Sequence, residues 1–206
     1  MPVDTAHLER LRDLMQKHCF QYGDFTLASG GKSKFYFNGR VVTFRPSGAD
    51  LIGEALVDVV LASGVDAVGG PALGAVPIAM AVGIASLSRE RELPVYVVRM
   101  EQKQHGSRDL IAESFSDDGG AVVTAGRSVA IVEDTITTGG SVRKAIAAIE
   151  AVGAKVALIA VLVERSEGGA DKLRDEGFDV VSLFRADEEG TLSVNEAYVK
   201  RLSALG

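Results

Sequence analysis

Two adjacent acidic residues stand at the end of an apolar run and are followed at once by hydroxyl side chains and glycines. The run is 129–132, the acids are Glu133 and Asp134, and residues 142–150 beyond the loop have the composition and period of a helix. Backbone N–H groups at such a helix start, together with the helix dipole, form an anion site of phosphate size. The carboxylates can accept hydrogen bonds from the vicinal hydroxyls of a sugar. The stretch therefore predicts a site for a phosphorylated ribose.

The elements that must position this loop alternate between strands and helices. Apolar runs and helical periods predict strands at 67–69, 95–99, 129–132, 156–163 and 179–184, and helices at 46–61, 78–89, 141–152 and 170–176. Alternation at this spacing favours right-handed crossovers and an α/β fold with a mostly parallel sheet flanked by helices. Ligands of such sheets bind beyond the carboxyl ends of the strands, where the acids and hydroxyls follow residues 129–132.

The two ends of the chain fall outside this alternation. The predicted elements there are a helix from residue 4 or 5 to about 20, hairpin strands at 25–28 and 33–37, and a last helix that runs to 205. Ser193 and Glu196 have the spacing of a capping box and predict the start of that last helix.

Residues 100–127 interrupt the alternation with a long segment that is rich in charge and glycine. A segment of this length without sustained periodicity is usually functional or disordered in a compact domain. We predict a mobile lid here, and residues 121–124 within it are a candidate added strand.

Composition limits the class of protein. The 206 residues suit one domain, 47% of them are apolar, and the net charge of -6 argues against a surface that coats nucleic acid. The single cysteine, Cys19, excludes an intrachain disulfide and favours a reducing, cytoplasmic location. Residues 67–88 lack charge, but two prolines and four glycines break the stretch, so we interpret it as buried core and predict no membrane contact.

The acid pair and its loop resemble the phosphoribosyl-pyrophosphate (PRPP) signature of the type I phosphoribosyltransferases. The resemblance implies that Glu133 and Asp134 bind the ribose hydroxyls and that the loop binds the 5-phosphate. The loop residues are Thr135, Ile136, Thr137, Thr138, Gly139, Gly140 and Ser141. It also implies a Mg²⁺ ion that is held by PRPP oxygens and water, with Asp134 as a water-mediated contact and no direct protein ligand.

Four further segments resemble parts of the same family's site. Residues 69–77 resemble the pyrophosphate loop, which assigns pyrophosphate binding to Ala72, Leu73 and Gly74. The segment 99–106 resembles the root of the catalytic lid in the orotate phosphoribosyltransferases. The matching residues, implied to be catalytic and to bind pyrophosphate, are Arg99, Lys103 and His105, followed by Gly106.

The third segment and the hairpin concern the base. Arg165 ends the segment 162–165, two residues after the predicted strand 156–163, and could pair bidentately with the carboxylate of orotate, which uracil, adenine and hypoxanthine lack. The alternative is a structural ion pair of Arg165 with Glu164 or Glu167. Residues 25–40 resemble the family's hairpin, in which Tyr36 and Phe37 would flank the base, and Thr137 would reach it from the phosphate loop.

The resemblance implies a single phosphoribosyltransferase domain. Its core spans about 41–185, and a small hood comes from the N-terminal hairpin and the chain ends, about 1–40 and 186–206. Because the family's lid reaches the site of the neighbouring subunit, the resemblance also implies a homodimer.

This chain departs from the family pattern at three positions where some members have lysine. Ala28, Gly74 and Met100 stand there, and each missing cation removes electrostatic help to a pyrophosphate leaving group. Three functions therefore stay open. The first is phosphoribosyl transfer to orotate, the second is transfer to a purine or uracil, and the third is PRPP sensing without catalysis.

Overall fold

The protein is described by a computed structural model that covers residues 5–26, 32–101, 110–112 and 119–205. The strands are β1 (Phe20–Thr26), β2 (Lys32–Phe37), β3 (Ala67–Pro71), β4 (Val95–Val98), β5 (Ile111–Ala112), β6 (Ser128–Ile136), β7 (Lys155–Arg165), β8 (Val180–Ala186) and β9 (Leu192–Val194). The helices are α1 (Thr5–Cys19), α2 (Arg40–Thr43), α3 (Pro46–Ala62), α4 (Ala75–Leu87), α5 (Gly140–Ala151), α6 (Gly169–Asp175) and α7 (Glu196–Ser203).

Seven of these strands form one sheet in the order β5-β4-β3-β6-β7-β8-β9. The pairs among β4, β3, β6, β7 and β8 are parallel, whereas β5 and β9 run antiparallel at the two edges. The predicted α/β fold with a mostly parallel sheet is confirmed. Strands β1 and β2 form a separate antiparallel hairpin.

Alternating side chains of the sheet strands enter two different cores. Val68 and Ala130 pack on one face with α1, α3, α4 and α7, while Ala67 and Val129 pack on the other with α5 and α6. Because both faces of the sheet are covered, the central strands are apolar on both sides, as parallel strands usually are. This explains why they stand out in the sequence as continuous apolar runs.

Two strands continue beyond their predicted ends, to Ile136 and Arg165. Strand β6 keeps its parallel register with β7 through Thr135, which pairs with Val163, so the acid pair lies inside a strand and not after it. Pairing with neighbours on the sheet outweighs the weak strand propensity of acidic residues. The functional side chains therefore stand on rigid backbone.

The last helix begins differently from the prediction. Asn195 caps it by accepting a hydrogen bond from the N–H of Ala197, whereas Ser193 lies in β9 opposite Arg185. The predicted capping box was wrong, because pairing with β8 claims Ser193 for the sheet. The edge strand β9 and the short helix α2 were not predicted.

The two chain ends meet behind the hairpin. The Gln16 amide donates to the carbonyl oxygen of Gly190 at 3.0 Å, and its oxygen accepts from the N–H of Leu192 at 2.7 Å. The β8–β9 turn thereby packs against Phe35, since a Cβ on Gly190 would lie 2.8 Å from that ring. The region predicted as a hood thus has contacts between its two halves.

Only part of the predicted lid is described, because residues 102–109 and 113–118 lie outside the described ranges. Val122 and Val123 are buried against the core face that carries α5, and the candidate strand at 121–124 is not formed. The end of the segment near β6 is therefore part of the folded core. Within the described ranges, no helix is long and apolar enough to cross a membrane.

Candidate active site

An open cleft of about 360 Å³ lies at the carboxyl ends of β3 and β6, below the end of β2. Its walls come from three segments that are far apart in sequence. The lining residues are Tyr36, Phe37, Asn38 and Arg40, then Pro71, Ala72, Leu73 and Gly74, then Glu133, Asp134, Thr135, Thr137 and Ser141. The structure thus brings the predicted ribose, phosphate, pyrophosphate and hairpin residues to one place.

The phosphate loop joins β6 to α5 by a tight turn. Gly139 has φ 81°, a left-handed conformation that favours glycine, and α5 begins at the next residue. The free N–H groups of the first turn and the helix dipole then face the loop. A second segment supports the loop from outside, because the N–H of Gly169 donates to the carbonyl oxygen of Thr137 at 2.8 Å.

The two acids have different surroundings. Glu133 is 5% exposed, and its Oε2 accepts from the Ser141 hydroxyl at 3.0 Å, while its Oε1 accepts from the N–H of Asp134 at 3.2 Å. Burial raises the pKa of Glu133, and the neighbouring charge of Asp134 raises it further. Burial also raises the pKa of Asp134, while a backbone N–H and the charge of Arg40 act in the opposite direction.

These shifts give the stability of the protein without substrate a defined dependence on pH. Because the pKa of Glu133 is raised in the fold, its contribution is fully present below its ordinary pKa of 4.5 and is lost as pH rises through the raised value. We expect Glu133→Gln, which does not titrate, to gain stability relative to the wild type as pH rises. Urea denaturation midpoints of both proteins, measured from below pH 4.5 to above the raised pKa of Glu133, would test this. A difference between the two midpoints that stays constant with pH would contradict it.

Asp134 stands where the hairpin and the pyrophosphate loop meet. A Cβ on Gly39 would lie 3.0 Å from the Asp134 Cβ, and a Cβ on Gly74 would lie 3.0 Å from the Asp134 Cγ. The two glycines therefore let backbone approach the carboxylate from two sides. The loop itself is tied to β4, because the N–H of Ala72 donates to the carbonyl oxygen of Val98 at 2.8 Å, and its Ala72–Leu73 peptide is cis.

The predicted lid residues are only partly visible. Arg99 directly follows β4 and its N–H donates to the carbonyl oxygen of Leu110 at 2.7 Å, so the root of the lid is anchored beside the pyrophosphate loop. The Arg99 side chain is half-buried and is not among the described residues that line the cleft. Lys103 and His105 lie outside the described residues, so their roles stay predictions.

The base-binding predictions have a mixed outcome. Tyr36 is 41% exposed and lines the cleft, and Phe37 lines it while its ring packs on Phe20. Arg165 does not line the cleft, because its guanidinium lies 4.5 Å above the Phe35 ring and pairs with Glu167 at 3.0 Å. In this conformation the alternative prediction of a structural ion pair is correct for Glu167.

Glu164, the other acid considered as a partner, has a separate structural role. Its buried carboxylate accepts from both terminal nitrogens of Arg174, at 3.0 and 2.7 Å, and from Ser182 at 2.8 Å. Burial by itself would raise its pKa, but the Arg174 and Ser182 contacts outweigh that effect and lower the pKa. This network joins β7, β8 and α6. Of the two acids considered as partners of Arg165, Glu167 is therefore the one that pairs with it.

This chain is similar to a known family of proteins along most of its length. The family model described as the phosphoribosyl transferase domain matches residues 45–187. An orotate phosphoribosyltransferase of Rhodopirellula baltica is 38% identical over 191 residues, which cover 89% of this chain and 95% of the relative. One from a Bradyrhizobium species is 36% identical over 184 residues, with coverages of 89% and 97%.

The chain belongs to the orotate phosphoribosyltransferase family. A crystal structure of the Mycobacterium tuberculosis orotate phosphoribosyltransferase in complex with PRPP has a TM-score of 0.68 and 30% identity, covering 85% of this chain and 94% of that one. The Aeropyrum pernix enzyme has a TM-score of 0.66 and 26% identity, with coverages of 95% and 99%. The family assignment and the fold agree with what the residues of the cleft indicated.

The lining of the cleft also contains residues to which the sequence had assigned no role. These are Asn38, Arg40 and Pro71. Pro71 ends β3 and lies within the segment 69–77 that resembles the pyrophosphate loop, although only Ala72, Leu73 and Gly74 had been assigned to pyrophosphate binding. Arg40 follows the hairpin residues, but no periodicity places its side chain in a cleft built by β3 and β6.

Proposed function

We propose that this protein transfers the phosphoribosyl group of PRPP to orotate, which gives orotidine 5′-monophosphate and pyrophosphate in pyrimidine nucleotide synthesis. The observation that carries the proposal is the cleft in which the acid pair, the phosphate loop and the pyrophosphate loop converge, in a chain with relatives of that name at 35–38% identity. A cytoplasmic location is part of the proposal, supported by the lone cysteine.

The reaction needs no nucleophilic side chain. The bond from the anomeric carbon to pyrophosphate breaks with its electron pair leaving on pyrophosphate, and the ribose carbon develops oxocarbenium character. A nitrogen of orotate forms the new bond from the opposite face and releases its proton. Catalysis of such a step consists of positioning and charge stabilisation.

The described residues supply the positioning. The first turn of α5 and the hydroxyls of Thr137 and Ser141 hold the 5-phosphate, while Glu133 and Asp134 hold the ribose hydroxyls. Both carboxylates stand in β6, so the ribose is fixed against rigid backbone. Ala72, Leu73 and Gly74 approach the pyrophosphate group with little side-chain bulk.

The cleft also fits a hydrated Mg²⁺ ion that enters with PRPP. Asp134 lines the cleft, and its carboxylate is one that a metal-bound water can reach. When bound, the ion supplies positive charge to the pyrophosphate oxygens. Arg99, Lys103 and His105 are proposed to close over the leaving group and exclude water.

The direct test is incubation of the protein with PRPP, Mg²⁺ and one base at a time. We expect pyrophosphate to be released when the base is orotate, together with a loss of orotate absorbance, and no release with the other bases. A second candidate is transfer to a base without a carboxylate. It is favoured by the Arg165–Glu167 ion pair, because Glu167 binds the guanidinium that is proposed to bind the orotate carboxylate. Turnover with adenine, hypoxanthine or uracil and none with orotate would support that candidate. If the protein binds PRPP but releases no pyrophosphate from it with any of the bases, it would instead be a regulator.

A homodimer with lids shared between subunits completes the proposal. Three apolar side chains on one face of α4 support it, because Met80, Ile84 and Leu87 are 47%, 63% and 57% exposed at helical spacing. Such a stripe on a helix indicates an interaction surface.

We expect Ile84→Asp to convert the dimer to a monomer, because dimerisation would bury an unpaired charge. Light scattering would report the mass. Val152→Asp, at the end of α5 on the other side of the sheet, is the control and should leave the dimer intact. A dimer that persists in Ile84→Asp would place the interface elsewhere.

A further inference from the structure

The charges that line the cleft do not match the substrate unless one arginine takes part. Among the described lining residues, Glu133 and Asp134 are acidic and Arg40 is basic. PRPP carries two anionic groups, a phosphate and a pyrophosphate. Its binding therefore requires positive charge in the cleft as well as the acids that accept hydrogen bonds from the ribose. The chain has Ala28, Gly74 and Met100 where some relatives of this family have lysine. Arg40 is therefore the cation that the described cleft offers.

The backbone of Arg40 is fixed while its side chain stays exposed. Helix α2 starts at Arg40, and the buried residues Val42 and Thr43 anchor it through N–H bonds of 3.0 Å each to the carbonyl oxygen of Gly39. The Arg40 Nε donates to the Asn38 side-chain oxygen at 3.3 Å. Within the described residues, no acceptor is hydrogen-bonded to its two terminal nitrogens, so they are available to a ligand.

The glycine contacts decide which part of PRPP lies near Arg40. Gly39 and Gly74 both approach Asp134, each to 3.0 Å of one of its carbon atoms if a Cβ is added. The start of α2 is thus next to the pyrophosphate loop. The phosphate loop runs on from Asp134 to the start of α5, and neither Gly39 nor Gly74 has an atom of residues 137–141 among its nearest contacts. An extended arginine side chain at position 40 can reach the pyrophosphate end of the cleft.

We propose that Arg40 binds the pyrophosphate group of PRPP and supplies positive charge that the missing lysines do not. A guanidinium presents a planar fork of donors that matches two phosphate oxygens. The inference rests on the proposed use of PRPP but not on the identity of the base. It also differs from an effect through Asp134, because a contact with pyrophosphate leaves the binding of ribose 5-phosphate unchanged.

Isothermal titration with Mg²⁺ and without base tests this assignment. The ligands are PRPP, pyrophosphate and ribose 5-phosphate, and the proteins are the wild type, Arg40→Gln, Arg40→Lys and Arg45→Gln. Arg45 is exposed at the start of α3 and does not line the cleft, so it controls for the loss of one positive charge. We expect Arg40→Gln to weaken PRPP and pyrophosphate binding by about 10- to 100-fold, the range of a lost charged hydrogen bond.

The remaining variants and ligands make the result decisive. Ribose 5-phosphate should bind Arg40→Gln within about two-fold of the wild type, and Arg40→Lys should recover part of the pyrophosphate affinity because it keeps the charge. Equal losses for ribose 5-phosphate and PRPP, or no loss for either PRPP or pyrophosphate, would overturn the proposal. A wild type that binds PRPP but does not consume orotate would contradict the proposed function and leave the Arg40 result standing.

Discussion

Lys103→Ala is expected to leave the fold intact and to lower turnover by about 100- to 1,000-fold, the usual cost of removing one group that stabilises charge in a transition state. Lys103 carries this weight because Met100 replaces the other lysine of the lid motif. The leaving pyrophosphate gains negative charge as its bond breaks, so a cation over it acts more strongly in the transition state than on bound PRPP. The measurement is kcat at saturating PRPP and orotate.

The matched control for this variant is Lys155→Ala. Lys155 is exposed at the amino end of β7, whereas the cleft lies at the carboxyl ends of the strands, so its removal should not change kcat. Equal unfolding midpoints of the two variants would exclude a folding defect. Wild-type turnover in Lys103→Ala would remove the lid from the mechanism.

Mixed dimers extend the same variant to the sharing of lids. Lys103→Ala and Asp134→Ala each inactivate both sites of a dimer. If the lid acts on the neighbouring subunit, a mixed dimer has one site with an intact Asp134 and a Lys103 supplied by the partner. Mixing the two inactive proteins should then restore activity, whereas a lid that acts within its own subunit would restore none.

Gly169→Ala is expected to cause the second large loss, although Gly169 does not line the cleft. The added methyl group would lie 2.2 Å from the Thr137 carbonyl oxygen and 2.6 Å from the Thr138 carbonyl carbon, both backbone atoms of the phosphate loop. The loop has to move, and a displacement of about 1 Å near a reacting group can cost about 100-fold in rate. We expect kcat/KM for PRPP to fall by about that factor, with a stability loss of about 1–3 kcal/mol from overpacking.

Gly140→Ala separates the steric effect from a general effect of replacing glycine. Its methyl group would meet one atom within 4 Å, the Thr138 hydroxyl oxygen at 3.9 Å, and α5 already begins there. We expect its urea denaturation midpoint to equal or exceed that of the wild type, because alanine favours a helix over glycine. A midpoint of Gly169→Ala equal to that of Gly140→Ala would mean that the loop tolerates the methyl group.

Sequence reasoning succeeded where one segment carries both the structure and the chemistry. The acids and the phosphate loop follow one another in the chain, so their spacing predicted a ribose site, and the structure places these residues in one cleft. It placed the end of β6 too early, because strand pairing of Thr135 with Val163 depends on a neighbour and not on local composition. The acids are therefore more buried than a loop would make them, and this burial raises the pKa of Glu133.

It was less successful where the site depends on distant contacts. Arg165 stays a predicted base-binding residue, and its half-buried side chain is shared between the Phe35 ring and Glu167 in this structure. Arg40 belonged to the hairpin resemblance but received no role, because its place in the cleft follows from the close approach of Gly39 to Asp134. Neither the ring contact nor the glycine approach has a signature in the local sequence.

The two sides of the cleft are expected to fold at different times during translation, because one of them depends on the turn at Gly190. The phosphate side uses consecutive residues, and the partners of β6 are made before the chain ends. The hairpin side needs Gly190 against Phe35, and Gln16 bonds to Gly190 and Leu192 across 174 and 176 positions. Contacts so distant in sequence form late, since loop closure precedes their stabilisation. While the turn at Gly190 is still inside the ribosome, the nascent chain already contains the acids and the phosphate loop. The hairpin wall of the cleft, however, still lacks the contacts that support it.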